Sequence, residues 1–144
     1  MSQQLKILKG LPASGKSTFA VKWVQEDPKN RVRVNRDDLR RMSGAYWVPQ
    51  REDYITKLEQ SILTIAIEEG YSVIWDNTNF RVDKEYWQRQ FKNVNVNVLF
   101  LDIPLETCIE RDQMREEGRV GKSVIEKMYN KYLINEQKTI NRSF

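Results

Sequence analysis

The segment Gly10-Leu-Pro-Ala-Ser-Gly-Lys-Ser17 constrains the fold of this chain more than any other feature of its sequence. It matches the pattern G-x-x-x-x-G-K-[ST] at every defined position, and it lies between an apolar segment (5–8) and a segment with helical spacing of apolar residues (17–26). Glycines in such a loop let consecutive N–H groups point at phosphate oxygens, and the helix N-terminus adds a favourable dipole. The segment therefore predicts a strand–loop–helix unit that binds a nucleoside triphosphate.

The residues of this loop predict separate contacts to the nucleotide. We expect Lys16 to bridge the β- and γ-phosphates of ATP and Ser17 to bind Mg²⁺. The other expected nucleotide contacts are the remaining residues of the segment and its neighbour: Gly10, Pro12, Ala13, Ser14, Gly15 and Thr18. A glycine turn that carries Lys-Ser without binding a nucleotide is the structural alternative, and the strand–loop–helix context argues against it. The pattern alone fits a kinase and an ATPase equally well.

The composition restricts the chemistry and the cellular context. The 144 residues are 40% hydrophobic and 31% charged, which suits one globular domain over residues 1–144. With no histidine and one cysteine, Cys108, histidine-based catalysis, zinc sites and an internal disulfide are excluded, so any general base is a carboxylate or a lysine. Cys108 itself is expected in the core. Because no apolar run approaches the ~20 residues of a membrane span and no signal peptide is recognisable, we expect a cytoplasmic protein without a membrane partner.

Apolar patterns predict that strands and helices alternate along the chain. Further strands are expected at 32–34, 71–75 and 94–101, and further helices between Pro49 and Gly70 and at 82–91, 105–116 and 123–137. Such alternation implies βαβ crossovers and a parallel sheet of the α/β class. Ligands of these sheets bind beyond the carboxyl ends of the strands, which is where the polar motifs of this chain fall.

The same spacing predicts which side chains face the core. On the long helix, the inward face is expected to consist of Tyr54, Leu58, Ile62, Ile65 and Ala66. Elsewhere, the core positions are expected to include Trp23, Tyr86, Trp87 and Phe100.

The segment Asn35-Arg-Asp-Asp-Leu-Arg40 follows the second predicted strand. A kinase needs a carboxylate near the γ-phosphate to accept the proton of the attacking hydroxyl, and Asp37 is the best placed candidate. Arg40 lies three residues later, on the same side of a helical turn, where it can bind an acceptor phosphate through two hydrogen bonds. The alternative is that Asp37 or Asp38 caps a helix N-terminus, because aspartate is a favoured cap.

Asp76 ends the third predicted strand, within Trp75-Asp-Asn-Thr-Asn79. An acid after an apolar strand can bind Mg²⁺ through water or pair with an arginine. The alternative for this segment is a turn rich in asparagine and aspartate, which its composition also suits.

Arg111, Arg115 and Arg119 recur at four-residue spacing and are therefore predicted to share a helix face. Such a row can close over the phosphates as a helical lid that neutralises the charge of the transferring group. The alternative is a solvated face with ion pairs to Glu110, Glu116 and Glu117.

Basic residues are concentrated near these motifs. Residues 29–41 contain six basic side chains and two acidic ones, within a net charge of +4 for the whole chain. Basic patches attract the phosphates of nucleotides or of nucleic acids. Tyr46 and Trp47 follow in a predicted loop, where they can stack on a base or cover the core.

These motifs together resemble the polynucleotide 5′-hydroxyl kinases, typified by the kinase domain of the phage end-healing kinase/phosphatase. The resemblance extends over most of the chain and consists of five segments: G-x-P-x-S-G-K-S-T at 10–18, N-R-D-D-x-R at 35–40, D-x-T-N around Asp76 to Asn79, D-x-P at 102–104, and the pair Arg111 and Arg115. The phosphate-binding loop occurs in many enzymes, whereas the N-R-D-D-x-R segment with the arginine pair is more specific.

The resemblance implies a P-loop kinase fold with a four-stranded parallel sheet, Mg²⁺ with ATP or another nucleoside triphosphate as donor, and DNA or RNA with 5′-hydroxyl ends as the partner. By the same resemblance, Asp37 is similar to the general base and Arg40 to the contact for the acceptor's 3′ phosphate. Arg115 is similar to the lid arginine on the donor phosphates and Arg111 to its companion. Asp76 and Asn79 match the active-site segment of the family at the acceptor side.

Two features depart from the family pattern. The chain ends at Phe144, so the resemblance predicts a kinase without the 3′-phosphatase domain of the phage enzyme. Asn77 is an extra residue in the D-x-T-N segment.

Two other functions stay open from the sequence. One is a kinase for a small metabolite, a nucleoside or a nucleotide sugar, as in zeta-toxin-like kinases, and the other is an ATP-binding module without catalysis.

Overall fold

Apolar segments of the chain pair into a parallel sheet that helices cover on both faces. The computed structural model describes residues 2–134. Its strands are β1 (Gln4–Lys9), β2 (Arg31–Asn35), β3 (Ser72–Asp76) and β4 (Asn95–Phe100). Its helices are α1 (Lys16–Glu26), α2 (Arg36–Met42), α3 (Glu52–Glu68), α4 (Lys84–Gln90), α5 (Leu105–Gln113) and α6 (Lys122–Tyr132), with a short 3₁₀ turn at Pro49–Arg51.

The strand order is β2-β3-β1-β4, and every pair is parallel. Ile7 of β1 lies opposite Trp75 of β3, and Asn35 of β2 lies opposite Asp76 at the end of β3. The carboxyl ends of β1, β2 and β3 therefore meet at one edge of the sheet. The prediction of an α/β fold with a four-stranded parallel sheet is confirmed.

Alternation along β3 divides the core between the two faces. Val73 and Trp75 pack with apolar residues of α3 and α4, whereas Ile74 packs with Ala20 and Trp23 of α1. A third cluster, which includes Leu11, Cys108 and Ile125, joins α5 and α6 to the loop after β1. The core prediction for Cys108 is confirmed, and burial raises the pKa of its thiol.

The inward face of α3 differs from the prediction. Its buried residues are Ile55, Glu59, Leu63, Ala66 and Ile67, while Tyr54 and Ile65 are exposed. The buried stripe passes through the charged Glu59, whose carboxylate accepts hydrogen bonds from Arg36 and Trp75. An apolar pattern cannot reveal this face, because a partnered charge occupies one of its central positions.

Two further core predictions are wrong, and two helices differ from expectation. Tyr86 and Phe100 are exposed, the latter because the short helix α4 packs on the first part of the edge strand β4. The helix α2 immediately follows β2, where the sequence indicated a helical turn without a defined helix range. The helix predicted at 105–116 ends at Gln113, and the last residues of the helix predicted at 123–137 lie outside the described residues.

Between residues 2 and 134, no helix combines the length and the apolar character needed to cross a bilayer.

Candidate active site

The loop after β1 leaves a row of backbone donors without acceptors. Ala13 and Gly15 have φ values of 64° and 97°, which turn the chain into the start of α1. Within residues 2–134, the N–H groups of Gly15, Lys16 and Ser17 have no hydrogen-bond acceptor. These donors lie at a helix N-terminus, where the dipole favours an anion. The loop therefore has the geometry of a phosphate site, as the sequence predicts.

Lys16 is buried in this loop and donates hydrogen bonds to its backbone. Its Nζ lies 3.0 Å from the carbonyl oxygen of Gly10 and 2.6 Å from that of Leu11. Burial lowers the pKa of Lys16 to about 8, although the Asp76 carboxylate acts in the opposite direction. A phosphate is a stronger acceptor for an ammonium group than a neutral carbonyl. The lysine is thus available to a nucleotide once it leaves these carbonyls.

Asp76 connects the phosphate loop to the end of β2. Its buried carboxylate accepts hydrogen bonds from the Ser17 hydroxyl at 2.9 Å, from Arg33 Nε at 2.9 Å and from Asn35 Nδ2 at 3.0 Å. Arg33 Nη2 lies 2.8 Å from the same oxygen. The sequence predicted that Asp76 binds Mg²⁺ through water or pairs with an arginine. The structure has the second arrangement, with Arg33 as the partner.

Ser17 and Asp76 place a hydroxyl and a carboxylate oxygen 2.9 Å apart at the phosphate loop, and oxygen is the ligand type that Mg²⁺ prefers. No cluster of three or more acidic, cysteine or histidine ligands occurs in the described part of the chain. A site of one hydroxyl and one carboxylate fits an ion that takes its other ligands from nucleotide phosphates and water. These residues therefore suit Mg²⁺ that arrives with a nucleotide.

Asp37 lies in the first turn of α2 and is not its cap. The N-cap is Asn35, whose side chain accepts a hydrogen bond from the Asp38 N–H at 2.8 Å. The capping alternative for Asp37 and Asp38 is therefore wrong. Asp38 instead pairs with Arg33 and Arg41, whereas Asp37 pairs with Arg40.

Asp37 and Arg40 form a compact ionic network with two neighbours. Arg40 Nη1 lies 2.7 Å from Asp37 Oδ1, and its Nη2 and Nε donate to the Glu52 carboxylate at 2.6 Å and 3.1 Å. The Tyr46 hydroxyl lies 3.3 Å from Asp37 Oδ1. The hydrogen bonds from Arg40 hold the pKa of Glu52 below its usual value, and desolvation followed by the Asp37 charge raises the pKa of Tyr46.

A second arginine of α2 anchors this network to the core. Arg36 donates to Glu59 at 3.0 Å, to Thr56 at 3.0 Å and to Glu52. Burial raises the pKa of Glu59, while bonds from Trp75 and Arg36 oppose that shift. Arg36 thus fixes α2 against α3, and with it the position of Asp37.

The predicted arginine row does not share one helix face. Arg111 belongs to the last turn of α5, whereas Arg115 and Arg119 lie beyond the end of this helix in the loop that leads to α6. A β-carbon built on Gly15 would lie 3.9 Å from Arg111 Nη1, so Arg111 is beside the phosphate loop. The prediction of an arginine-bearing helix is therefore correct for Arg111 and wrong for the other two.

Asp112 holds the loop that carries Arg115. Its buried carboxylate accepts the N–H groups of Val120 and Gly121, both at 2.9 Å, and lies 3.9 Å from Arg115 Nη1. Two buried charge-assisted bonds of this kind fix both ends of residues 112–121. The segment predicted as a helical lid is thus a loop anchored by Asp112 rather than a continuous helix.

Asn79 and the aromatic residues of the loop after α2 also have defined positions. Asn79 has a φ of 54°, and its Nδ2 donates to the carbonyl oxygens of Leu8 and Trp75. These bonds join the ends of β1 and β3, and its Oδ1 accepts no hydrogen bond from residues 2–134. Tyr46 and Trp47 lie against the Arg40 guanidinium, which is 5.9 Å and 5.5 Å from the centroids of their rings.

Sequence reasoning missed four residues of this site: Arg33, Glu52, Glu59 and Asp112. Arg33 offered one usable signal, a charge in the middle of the strand pattern of β2, since a charge there requires a partner. Glu52, Glu59 and Asp112 belong to α3 and α5, and tertiary contacts decide which residues they pair with.

The site can therefore bind a nucleoside triphosphate at the end of β1 and present a carboxylate with an arginine at the end of β2. Asp76, at the end of the intervening strand β3, contacts both parts.

Known proteins with similar sequences include two relatives. L-seryl-tRNA(Sec) kinase of Methanococcus maripaludis is 29% identical over 136 residues, which cover 89% of this chain and 52% of the relative. A protein of Autographa californica nuclear polyhedrosis virus, described as a bifunctional polynucleotide kinase/RNA ligase, is 30% identical over 152 residues, covering 92% of this chain and 21% of the relative. This chain thus spans about half the length of the archaeal kinase and about a fifth of the length of the viral protein.

A chain in the structure of the Pnkp1/Rnl/Hen1 RNA repair complex has a similar fold. The TM-score is 0.80 at 30% identity, and the match covers 95% of this chain and 46% of the other. With the viral relative, this similarity confirms the resemblance to polynucleotide kinases. The family model of the AAA domain matches residues 5–133. This chain therefore belongs to the AAA domain family.

Proposed function

We propose that this protein is an ATP-dependent polynucleotide 5′-hydroxyl kinase. It transfers the γ-phosphate of ATP to the 5′-hydroxyl end of DNA or RNA. The observation that carries the proposal is the pair Asp37 and Arg40 in the helix that follows β2, at the same sheet edge as the phosphate loop after β1 and separated from it by the single strand β3. The similarity to a polynucleotide kinase/RNA ligase and to a chain of an RNA repair complex supports the nature of the acceptor.

On the donor side, the free N–H groups of the loop and Lys16 bind the phosphates of ATP. Bound Mg²⁺ supplies positive charge at the phosphate oxygens, and Ser17 with Asp76 would hold it. Arg111 lies beside the loop, and Arg115 extends from the anchored lid. Together these groups offset the negative charge that develops as the terminal phosphoryl group leaves ADP.

On the acceptor side, Arg40 binds the 3′ phosphate of the terminal nucleotide. This phosphate replaces the carboxylates that now hold the guanidinium, and Asp37 is then free to act as a base. Asp37 accepts the proton of the 5′-hydroxyl while that oxygen bonds to the γ-phosphorus and the bond to the bridging oxygen of ADP breaks. A carboxylate fits this role because no histidine is present in the sequence.

End labelling tests the proposal. The protein is incubated with γ-labelled ATP, Mg²⁺ and matched DNA and RNA oligonucleotides that carry 5′-hydroxyl ends, with the 5′-phosphorylated strands as controls. We expect label on the 5′-hydroxyl strands alone. If neither strand is labelled while a nucleoside or another metabolite is, the polynucleotide acceptor is wrong and the kinase chemistry stands.

A second candidate acceptor is the hydroxyl of a seryl group attached to tRNA. The relative named L-seryl-tRNA(Sec) kinase matches 89% of this chain and supports this alternative. Seryl-tRNA added to the same assay distinguishes the two, because mild base hydrolyses an aminoacyl ester but leaves phosphodiesters intact. It therefore releases label from the tRNA only when the labelled group is esterified to it. Label that stays on a DNA strand after base treatment supports the 5′-hydroxyl end of a polynucleotide as the acceptor.

A further inference from the structure

A cavity outside the transfer site opens at the carboxyl end of β3. Its volume is about 630 Å³, and it lies between α3, α4, α6 and the loop that follows β3. This volume falls within the roughly 300–1,000 Å³ of small-ligand pockets. Its lining includes Arg36, Thr78, Phe80, Arg81, Tyr86 and Tyr132. Neither the phosphate loop nor Asp37 contributes to it.

The cavity shares a wall with the acceptor side of the site. Arg36 lines it and directly precedes Asp37, and Thr78 follows Asp76 by two residues. The Arg36 guanidinium is fixed there by Glu52, Thr56 and Glu59. A ligand in the cavity is therefore next to the reacting end of an acceptor strand but separated from Asp37 by a bound arginine. This position suits a neighbouring part of a long acceptor better than its reacting hydroxyl.

The lining combines aromatic rings with an available cation. Tyr86 is 46% exposed, and Phe80 stacks on Tyr132 with ring centroids 4.9 Å apart. Arg81 Nε donates to the Tyr132 hydroxyl at 2.9 Å, and its two Nη groups have no partner in the part of the chain that the structure describes. Aromatic faces with arginines are the means by which proteins bind single-stranded nucleic acid.

We propose that this cavity binds the second nucleotide of the acceptor strand. The base of that nucleotide stacks on Tyr86, and the phosphate on its 3′ side pairs with the free Nη groups of Arg81. This inference rests on the proposed function and adds a subsite to it: Arg40 binds the phosphate after the first nucleotide, and the cavity binds the second nucleotide with its own 3′ phosphate. An acceptor of one nucleotide leaves the cavity empty.

A length series measures the subsite. Transfer is assayed with a nucleoside 3′-monophosphate and with 5′-hydroxyl strands of two, three and six nucleotides. Since stacking on one aromatic ring is worth about 1–3 kcal/mol, we expect kcat/KM of the wild-type protein to rise about 10-fold or more from one nucleotide to three. Tyr86→Ala and Arg81→Gln should lose most of this rise and leave transfer to the monophosphate unchanged.

Two further variants serve as controls. Tyr86→Phe keeps the ring and should keep the length effect, and Tyr54→Ala removes an exposed tyrosine of α3 that does not line the cavity. Equal losses for the monophosphate and the longer strands in Tyr86→Ala would mean a structural role and would overturn the proposal. So would a wild-type kcat/KM that does not depend on length while the strands are still labelled.

Binding of a fluorescent hexanucleotide separates this inference from the proposed function. If the wild-type protein labels no strand yet binds the hexanucleotide in a manner that depends on Tyr86 and Arg81, the kinase assignment fails and the subsite stands. If it neither labels nor binds, both fail.

Discussion

The proposed donor and acceptor sides of the site are built in opposite ways. The donor side comes from one continuous segment in which three N–H groups lack acceptors within residues 2–134. Its Lys16 ammonium is desolvated and donates to neutral carbonyl oxygens rather than to a carboxylate. The acceptor side combines side chains of β2, α2, α3 and β3, and its charges are paired. Arg40, for example, donates hydrogen bonds to the carboxylates of Asp37 and Glu52.

This difference determines what each substrate has to do. A nucleotide supplies phosphate oxygens as hydrogen-bond acceptors, and these satisfy the N–H groups that have no acceptor in the phosphate loop. An acceptor phosphate must instead replace carboxylates that already hold Arg40. The donor side should therefore bind its ligand independently of the acceptor side, whereas chemistry should depend on opening the network around Asp37.

The largest effect is expected from the base of the acceptor side. Asp37→Ala should lower kcat for transfer about 10²- to 10⁴-fold, because general-base catalysis is lost, while ATP still binds to an intact phosphate loop. Single-turnover transfer and calorimetric ATP binding measure the two properties. Asp38→Ala is the matched control, since Asp38 is the neighbouring carboxylate and pairs away from Asp37. Equal losses in both variants would remove Asp37 from the mechanism.

The lid arginine tests whether the donor side extends beyond the loop. Arg115→Ala should lower kcat about 10²- to 10³-fold, because one cation that stabilises the transition state is removed. Arg119→Ala is the control, since this arginine lies in the same loop and its Nε donates to the carbonyl oxygen of Arg115. If Arg119→Ala loses as much as Arg115→Ala, the shape of the loop matters rather than the charge of Arg115. Steady-state kinetics at saturating ATP distinguish these outcomes.

The same difference explains how much the sequence predicts. A contiguous motif carries its own geometry, so the loop from Gly10 to Ser17 and the sheet were predicted correctly. The acceptor network depends on contacts between residues far apart in the chain, such as Arg40 with Glu52 and Arg33 with Asp76. Four-residue spacing predicted one helix for Arg111 and Arg115, but α5 ends between them, and Asp112 binds the backbone of the following loop. A regular spacing cannot reveal where a helix ends.

The free energy of unfolding should distinguish the paired charges around Arg40 from an exposed ion pair elsewhere in the molecule. Glu52→Gln should lower the free energy of unfolding by about 1–2 kcal/mol at pH 7, because Arg40 loses a charged partner. The folded-state pKa of Glu52 is depressed, so its contribution is present above the unfolded value of 4.5 and is lost as pH falls through the lower folded value. Urea unfolding at pH 7 and at the acid limit measures both. Glu26→Gln breaks an exposed pair with Arg31 and should cost less than about 1 kcal/mol. A loss for Glu52→Gln that does not diminish in acid would contradict the ionic origin.

On the donor side, the desolvation of Lys16 predicts a pH dependence of nucleotide binding. Burial depresses the pKa of Lys16 from 10.5 to about 8, so the free protein loses this proton as pH rises through about 8. Bound phosphates favour the charged ammonium and raise the pKa again, so binding above pH 8 requires proton uptake. The affinity for ATP should fall by up to about 10-fold for each pH unit above 8. Calorimetry in buffers of different ionisation enthalpy measures the proton uptake directly. Lys16→Met should bind more weakly and show no such dependence. A wild-type affinity that is constant from pH 7 to 9.5 would mean that the lysine is charged throughout, and that burial in the loop does not destabilise its ammonium form.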